Sequence, residues 1–347
     1  MFIGKKKPDT MPAVALTWLR RNWFLPGILA ALLLGFLLPG LGSVLNRGGI
    51  ARTLLIVALF LISGFTLPTE AITSGLKDYR LHVYIQIFIF LVIPGFFLLT
   101  TLPFRSHWDH QLYAGIFAVA VLPTTISSCI VFTQISGGNL MGTMFNAAAA
   151  NILGVILSPL LLSLLMRGGG DPLPAAEVLK ILRNLSLQML VPIACGQILR
   201  QFFKQVATKQ KKRLSVVSNI FILFILFFAF SKTARNPEFA GNLTAMIGPF
   251  AYLAAAHLLL LFIAYAGARL LHFGRENTIS VLYTAPQKTL AVGVPLISTY
   301  FASTPEVLGI TLLPLVFYHA WQLLVAGFVK SSRLVPDVEL PEAQSSN

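Results

Sequence analysis

Ser280-Val-Leu-Tyr-Thr-Ala-Pro-Gln-Lys-Thr-Leu-Ala-Val-Gly-Val-Pro-Leu-Ile-Ser298 lies inside a long apolar segment, yet Pro286, Gln287, Lys288 and Thr289 stand at its centre. A bilayer-spanning helix avoids such residues. A proline interrupts the backbone ladder, and an ammonium in hydrocarbon costs several kcal/mol. Within the apolar stretch 278–300, Lys288 sits about 15 Å from either end at ~1.5 Å per residue. A lysine stem reaches only about 6 Å, too short to carry the charge to the surface. If Pro286 opens a second half-helix, the ammonium also meets the positive end of that helix dipole. Carbonyl ends of other broken helices, or a bound anion, must offset the charge. The stretch therefore reads as one arm of a transport site.

Working outward, the 347-residue chain is 56% hydrophobic and 11% charged, with a mean hydropathy of +0.78. Apolar runs long enough to cross a bilayer recur along it, approximately at 24–41, 53–74, 82–101, 112–133, 140–166, 184–203, 215–232, 248–271, 278–300 and 306–329. The expectation is an all-α polytopic membrane protein. The formal net charge of +14 does not point to nucleic acid, because its distribution follows the membrane. With the N-terminus cytoplasmic, seventeen Lys and Arg fall on inner loops and tails and eight on outer ones, leaving Lys288 inside the bilayer. That asymmetry satisfies the positive-inside rule with both termini inside. The run from Lys209 to Arg213 then reads as a headgroup-facing loop. Helical spans suit a bacterial inner membrane. Cys129 and Cys195 lie in apolar segments without CxxC spacing, which supports neither a zinc site nor a disulfide framework. No small-residue cleavage site follows the first apolar run, so it reads as a retained helix.

In chain order, a basic lead-in (1–23) precedes a first set of five spans (24–166). A Gly- and Pro-containing connection (167–183) leads to a second set of five (184–329), and a polar tail (330–347) follows. Glu70 reads as a surface residue after the second span, and Trp108 as an interfacial anchor. The fourth span carries Pro123, Thr124, Thr125, Ser127 and Ser128 at mid-membrane depth. Isolated hydroxyls bond back to their own helix, but a cluster behind a proline offers free backbone and hydroxyl groups to a ligand. In the fifth span Thr143, Ala147 and Asn151 share a helix face with Asn146 close by. Two roles for these amides stay open, interhelical packing and substrate contact. His257 and His319 read as buried rings satisfied by carbonyls, with a proton relay as the other option. Proline landmarks repeat between the halves at offsets of 155 to 166 residues, pairing Pro26 with Pro192, Pro94 with Pro249, Pro123 with Pro286 and Pro159 with Pro314. A duplicated five-span unit must insert upside down. Interrupted helices at matching places of inverted repeats mark secondary-transporter sites.

Leu122-Pro-Thr-Thr-Ile-Ser-Ser-Cys129, Gly137-Gly-Asn139 leading to Asn151 and Ser158-Pro159, and Pro286-Gln-Lys-Thr-Leu-Ala-Val-Gly-Val-Pro295 occur in that order. Together they resemble the bile acid:sodium symporter superfamily, and more closely its bacterial SBF-like branch, related to the orphan seventh member of the human family. The resemblance covers essentially the whole chain. It implies ten helices in two inverted repeats of five, with helices 1, 2, 6 and 7 as a panel. Helices 3–5 and 8–10 form the core, where discontinuous helices 4 and 9 cross. It also implies two sodium ions near the crossing and an organic anion between core and panel. Carried over by position, Ser128 and Thr143 supply hydroxyls to one sodium site, and Gln287 the amide of the other. Gln86 is a weaker candidate on helix 3. Three positions depart from the pattern. Tyr283 replaces the carboxylate shared by both sodium sites, Cys129 replaces an asparagine, and Lys288 replaces another.

The functional expectation is a secondary carrier of a bile-acid-like or other carboxylate or sulfate solute. Its candidate substrate- and ion-binding residues are Pro123, Thr124, Thr125, Ser127, Ser128, Thr143, Asn146, Asn151, Gln287, Lys288 and Thr289. No cofactor is expected beyond sodium, and coupling to sodium, to protons or to neither ion stays open. On this reading the Lys288 ammonium occupies space that sodium fills in coupled relatives. A non-transporting regulator of ion homeostasis or membrane traffic is the alternative. An enzyme is not expected, since HExxH, nucleophile-elbow and Walker motifs and paired intramembrane aspartates are absent from the sequence.

Overall fold

The computed structural model describes residues 23–67, 78–167, 179–180, 183–235 and 243–331. The basic lead-in up to residue 22, Glu70, most of the central connection and the polar tail beyond 331 lie outside these residues. The described residues form helices joined by turns and short breaks, without strands among them. In chain order the helices are α1 Phe24–Leu37, α2 Pro39–Leu45, α3 Ile50–Thr66, α4 Tyr79–Ile87, α5 Ile93–Thr101, α6 His110–Val121 and α7 Ser127–Ile135. They continue with α8 Leu140–Arg167, α9 Val191–Phe202, α10 Lys204–Thr233, α11 Ile247–Leu270, α12 Arg275–Thr284, α13 Leu290–Tyr300 and α14 Leu308–Ser331.

Six stretches are long and apolar enough to cross a membrane, and a seventh joins α1 and α2 across a 98° bend. The bend falls at Leu38, the residue before Pro39, where the proline ring disfavours helical backbone. Two of the expected spans, 112–133 and 278–300, are pairs of half-helices, α6 with α7 and α12 with α13, interrupted where the sequence places its polar and proline residues. A third, 184–203, begins as a π turn, Ser186–Leu190, before α9. A second π turn, Phe88–Val92, joins α4 to α5. Each π turn ends two residues before a proline, Pro94 or Pro192. A wider turn there absorbs the carbonyl that a proline leaves unpaired and crowds.

The basic run departs from its expected form. Lys209 to Arg213 is not a loop, because α10 is one continuous helix from Lys204. It contains no proline and no glycine, so nothing in the run ends the hydrogen-bond ladder.

Packing divides the helices into two groups. α3 packs along α9, and α10 along α1, α2 and α3. In the other group α6 packs on α14 and α8, and α14 on α11 and α13. The groups meet where α10 touches α13 and α14. The α3–α9 contact is backbone to backbone. A Cβ on Gly64 would collide with the Ile193 carbonyl, and one on Gly196 with the Leu61 carbonyl. Small residues permit this approach, and it supplies the dispersion contacts that replace hydrophobic driving force in lipid. Gln197 then reaches across to the carbonyls of Gly64 and Leu67, and Arg200 to that of Phe65, occupying orphan acceptors at the end of α3.

Candidate functional site

The two broken segments meet at their breaks. Between α6 and α7, Leu122 to Ile126 leave the helix, and between α12 and α13 so do Ala285 to Thr289. The Thr289 amide donates to the Pro123 carbonyl at 3.1 Å, tying one break to the other. The Thr289 hydroxyl accepts from Ala291 N at 3.2 Å and so caps α13. Each break is held by the long helix that follows it. In the first half Asn151 donates to Thr124 O at 2.9 Å, and Ser158 to Val121 O at 2.7 Å. In the second half Tyr318 donates to Pro286 O at 2.8 Å. Gln322 accepts from Lys288 N and donates to Lys288 O, both at 2.7 Å. Unwound backbone inside a membrane needs its polar groups answered, and these side chains of α8 and α14 answer five of them. Pro123 packs against Gly154 of α8, where a Cβ would lie 2.7 Å from its ring.

Lys288 is wholly buried. Its ammonium donates to Leu122 O at 2.7 Å and to Ala120 O at 3.0 Å. Those carbonyls belong to the C-terminal end of α6, the negative end of its dipole. The offset that the sequence demands for an ammonium beside the start of α13 is therefore a carbonyl pair from the crossing partner. Gln287 is buried in the same break, and among the described residues neither its Oε1 nor the hydroxyl of Thr284 before it has a hydrogen-bond partner.

The remaining candidates separate into groups. Thr125 bonds Ser128, and Thr124 and Thr125 both bond the buried Cys129 at 3.2 and 3.1 Å. Thr143 pairs instead with Thr133 of α7 at 3.1 Å. Asn146 belongs to a network with α4, contacting His82 Nδ1 at 2.9 Å and accepting from Gln86 at 3.1 Å. Tyr283 stacks on Phe132 and accepts from Ser136 at 3.1 Å. His319 Nδ1 accepts from Gln322 Nε2 at 3.0 Å and lies 3.4 Å from Lys288 O, so the glutamine amide meets the ring rather than the carbonyl that the sequence reading expected. His257 departs from that reading: neither ring nitrogen has a hydrogen-bond partner among the described residues, and the ring packs edge-on to Tyr318.

A cavity of about 350 Å³ lies where the helix groups face each other. Thr125, Ser127, Ser128, Asn151, Thr289 and His319 line one side, and Lys211, Ser215, Ser218 and Asn219 of α10 the other. Pro123, Thr124, Thr143, Asn146, Gln287 and Lys288 do not line it. Sequence reading missed the α10 stripe, although Lys211, Ser215, Ser218 and Asn219 follow helical spacing. It also missed Tyr318 and Gln322, whose spacing of four is the signal for a shared face.

The family model described as the SBF-like CPA transporter family matches residues 22–332. "Sodium/bile acid cotransporter 7" of Mus musculus is 29% identical over 331 residues, covering 92% of this chain and 93% of that one. "Sodium/bile acid cotransporter 7-B" of Xenopus laevis is 28% identical over 334 residues, with 92% of each chain covered. YfeH of Escherichia coli (strain K12), whose name assigns it provisionally to the symporters, is 28% identical over 324 residues, covering 92% of this chain and 95% of that one. The chain therefore belongs to the SBF-like CPA transporter family and is a non-enzymatic, membrane-embedded transporter.

Proposed function

We propose that the chain is a secondary carrier of an amphipathic organic anion, moving one helix group against the other in alternating access. The observation that carries this reading is the cavity between the groups. Among the described residues that line it, Lys211 is the one charged side chain and none is a carboxylate. Opposite stand the starts of α7 and α13, represented by Ser127 and Leu290. The first amides of a helix have no intrahelical acceptor, so two helix N-termini offer N–H groups to an anion. Phe60, Ile152, Ile193 and Leu323 supply apolar wall for the body of the solute. The anion is held by Lys211 and the helix starts. Lys288 faces away from it, among carbonyls.

Lys288 serves as a fixed cation at the crossing, in the place of a coupling sodium. Its two carbonyl partners are the oxygen type a hard cation takes. A second reading, sodium coupling, draws on the unpartnered oxygens of Gln287, Thr284 and Gln86. The helix groups correspond to a panel (α1–α3, α9, α10) and a core (α4–α8, α11–α14), built as inverted repeats over 24–166 and 184–329. Both termini are cytoplasmic, and the membrane is a bacterial inner membrane.

Counterflow in proteoliposomes against a series of bile acids, carboxylates and sulfates tests the carrier. Lys211→Gln should raise KM for the anion roughly tenfold, the loss of one charge-assisted contact, and Lys211→Arg should restore most of it. Absence of counterflow with every anion would favour the regulator reading. Uptake under separate sodium and proton gradients, in wild type and Lys288→Asn, tests the fixed cation. Strong sodium dependence of the wild type would overturn that assignment.

A further inference from the structure

A second cavity, about 200 Å³, lies at the far end of α10 from Lys211. Its lining combines Asn46, Gly49 and Arg52, at the start of α3, with Lys232 in the last turn of α10. Ala302 and Pro305, between α13 and α14, close the opposite wall. Lys211 and Lys232 belong to one unbroken helix, about 32 Å apart along its axis at ~1.5 Å per residue. That distance matches a hydrocarbon core of ~30 Å, so the two cavities open toward opposite faces of the membrane.

Among the described residues the charged lining of the second cavity is of one sign. Arg52 and Lys232 both line it, and neither side chain has a hydrogen bond or ion pair among the described residues. The nearest acidic residue in sequence to its wall, Glu306, is exposed and engages Thr233 only through its backbone carbonyl. Asn46 accepts from Arg52 N at 3.0 Å, fixing the first turn of α3 against the cavity. Gly49, at φ +77°, caps that helix in left-handed backbone. Two cations in a small hollow repel each other unless an anion lies between them. The guanidinium fork and the ammonium both match oxyanion oxygens.

We propose that this cavity is a second anion site, taking the oxyanion of a free solute or of a lipid headgroup, held between Arg52 and Lys232. The site is separate from the Lys211 cavity and does not depend on what the chain carries.

The test uses purified full-length protein in nanodiscs and reads the thermal unfolding midpoint. In discs of phosphatidylcholine alone, sodium sulfate is titrated in the low millimolar range at constant ionic strength. In a parallel arm, phosphatidylglycerol replaces part of the phosphatidylcholine. Saturable stabilisation by sulfate identifies a free oxyanion as ligand, and stabilisation by phosphatidylglycerol alone identifies a headgroup. In either case Arg52→Gln and Lys232→Gln should each weaken the apparent affinity roughly tenfold. Arg52→Lys should retain part of it, and Lys212→Gln, an exposed lysine outside both cavities, should leave it unchanged. Stabilisation by neither probe, or stabilisation that survives both glutamine variants, overturns the proposal. If a glutamine variant unfolds in the absence of probe, Arg52→Lys together with Lys232→Arg carries the comparison.

Discussion

At the residue scale, Lys288 and Gln322 hold the same break by different physics. Gln322 is neutral and pairs both backbone groups of residue 288. Truncating it leaves a buried N–H and C=O without partners, at about 1–3 kcal/mol each. Lys288 contributes two hydrogen bonds to carbonyls but carries the desolvation of a buried ammonium with no carboxylate paired to it among the described residues. That penalty is several kcal/mol, and replacing a buried ion by an apolar group of similar volume is often neutral or better. The two effects nearly cancel for the lysine and do not for the glutamine. Gln322→Leu should therefore lower stability by about 2–4 kcal/mol, whereas Lys288→Met should stay within about 1 kcal/mol of wild type and lose uptake, since the cation that stands in for sodium is gone. Unfolding in nanodiscs, compared with uptake under ion gradients, separates them. A large stability loss in Lys288→Met would make the lysine structural.

At the element scale, two devices shape the helices. Pro159, Pro295 and Pro314 lie inside unbroken helices, but at four other prolines the ladder is disturbed, in a form that the surroundings can satisfy. At Pro94 and Pro192 it is a π turn inside a continuing span. At Pro123 and Pro286 it is a full break, because α8 and α14 provide Asn151, Ser158, Tyr318 and Gln322 to receive the freed backbone. The proline was visible in each case. Which outcome followed depended on side chains in another element. The second device is the glycine contact between α3 and α9. Gly196→Val places two methyl groups against the Leu61 carbonyl and Phe65 N, and such overpacking costs about 1–3 kcal/mol. The expected result is a lower unfolding midpoint, with Gly196→Ala intermediate. An unchanged midpoint in the valine variant would show that the pair has room to separate.

At the scale of the whole molecule, the proposed alternating access moves the two helix groups relative to each other across the cavity. Ser127 of α7 and Ser218 of α10 line its opposite sides. In a Cys195→Ser background, which removes the exposed native thiol and leaves the buried Cys129, Ser127→Cys combined with Ser218→Cys places one thiol on each group. A bifunctional thiol reagent should abolish counterflow in the double variant, and a monofunctional reagent on either single variant should not do so completely. Full counterflow after confirmed cross-linking would mean that the groups do not move apart during transport. Substrate anion should slow labelling of Ser127→Cys, since that side chain faces the cavity.

The sequence by itself determined the membrane class, the family and the two interrupted segments. Those rest on local properties: hydropathy over a span, a proline's missing N–H, and a lysine too deep to reach water. Only the tertiary structure decided what the interruptions do. That Lys288 points at Ala120 and Leu122 rather than into the cavity depends on where α6 ends against α13, a contact between residues 166 and 168 positions apart. That Lys211 faces the cavity depends on α10 continuing as a helix through its basic run, which turns a charge cluster into a directed stripe. Position along the chain sets which groups are charged and how deep they lie. The packing of one helix group against the other sets which charge faces the cavity and which stays sealed among carbonyls.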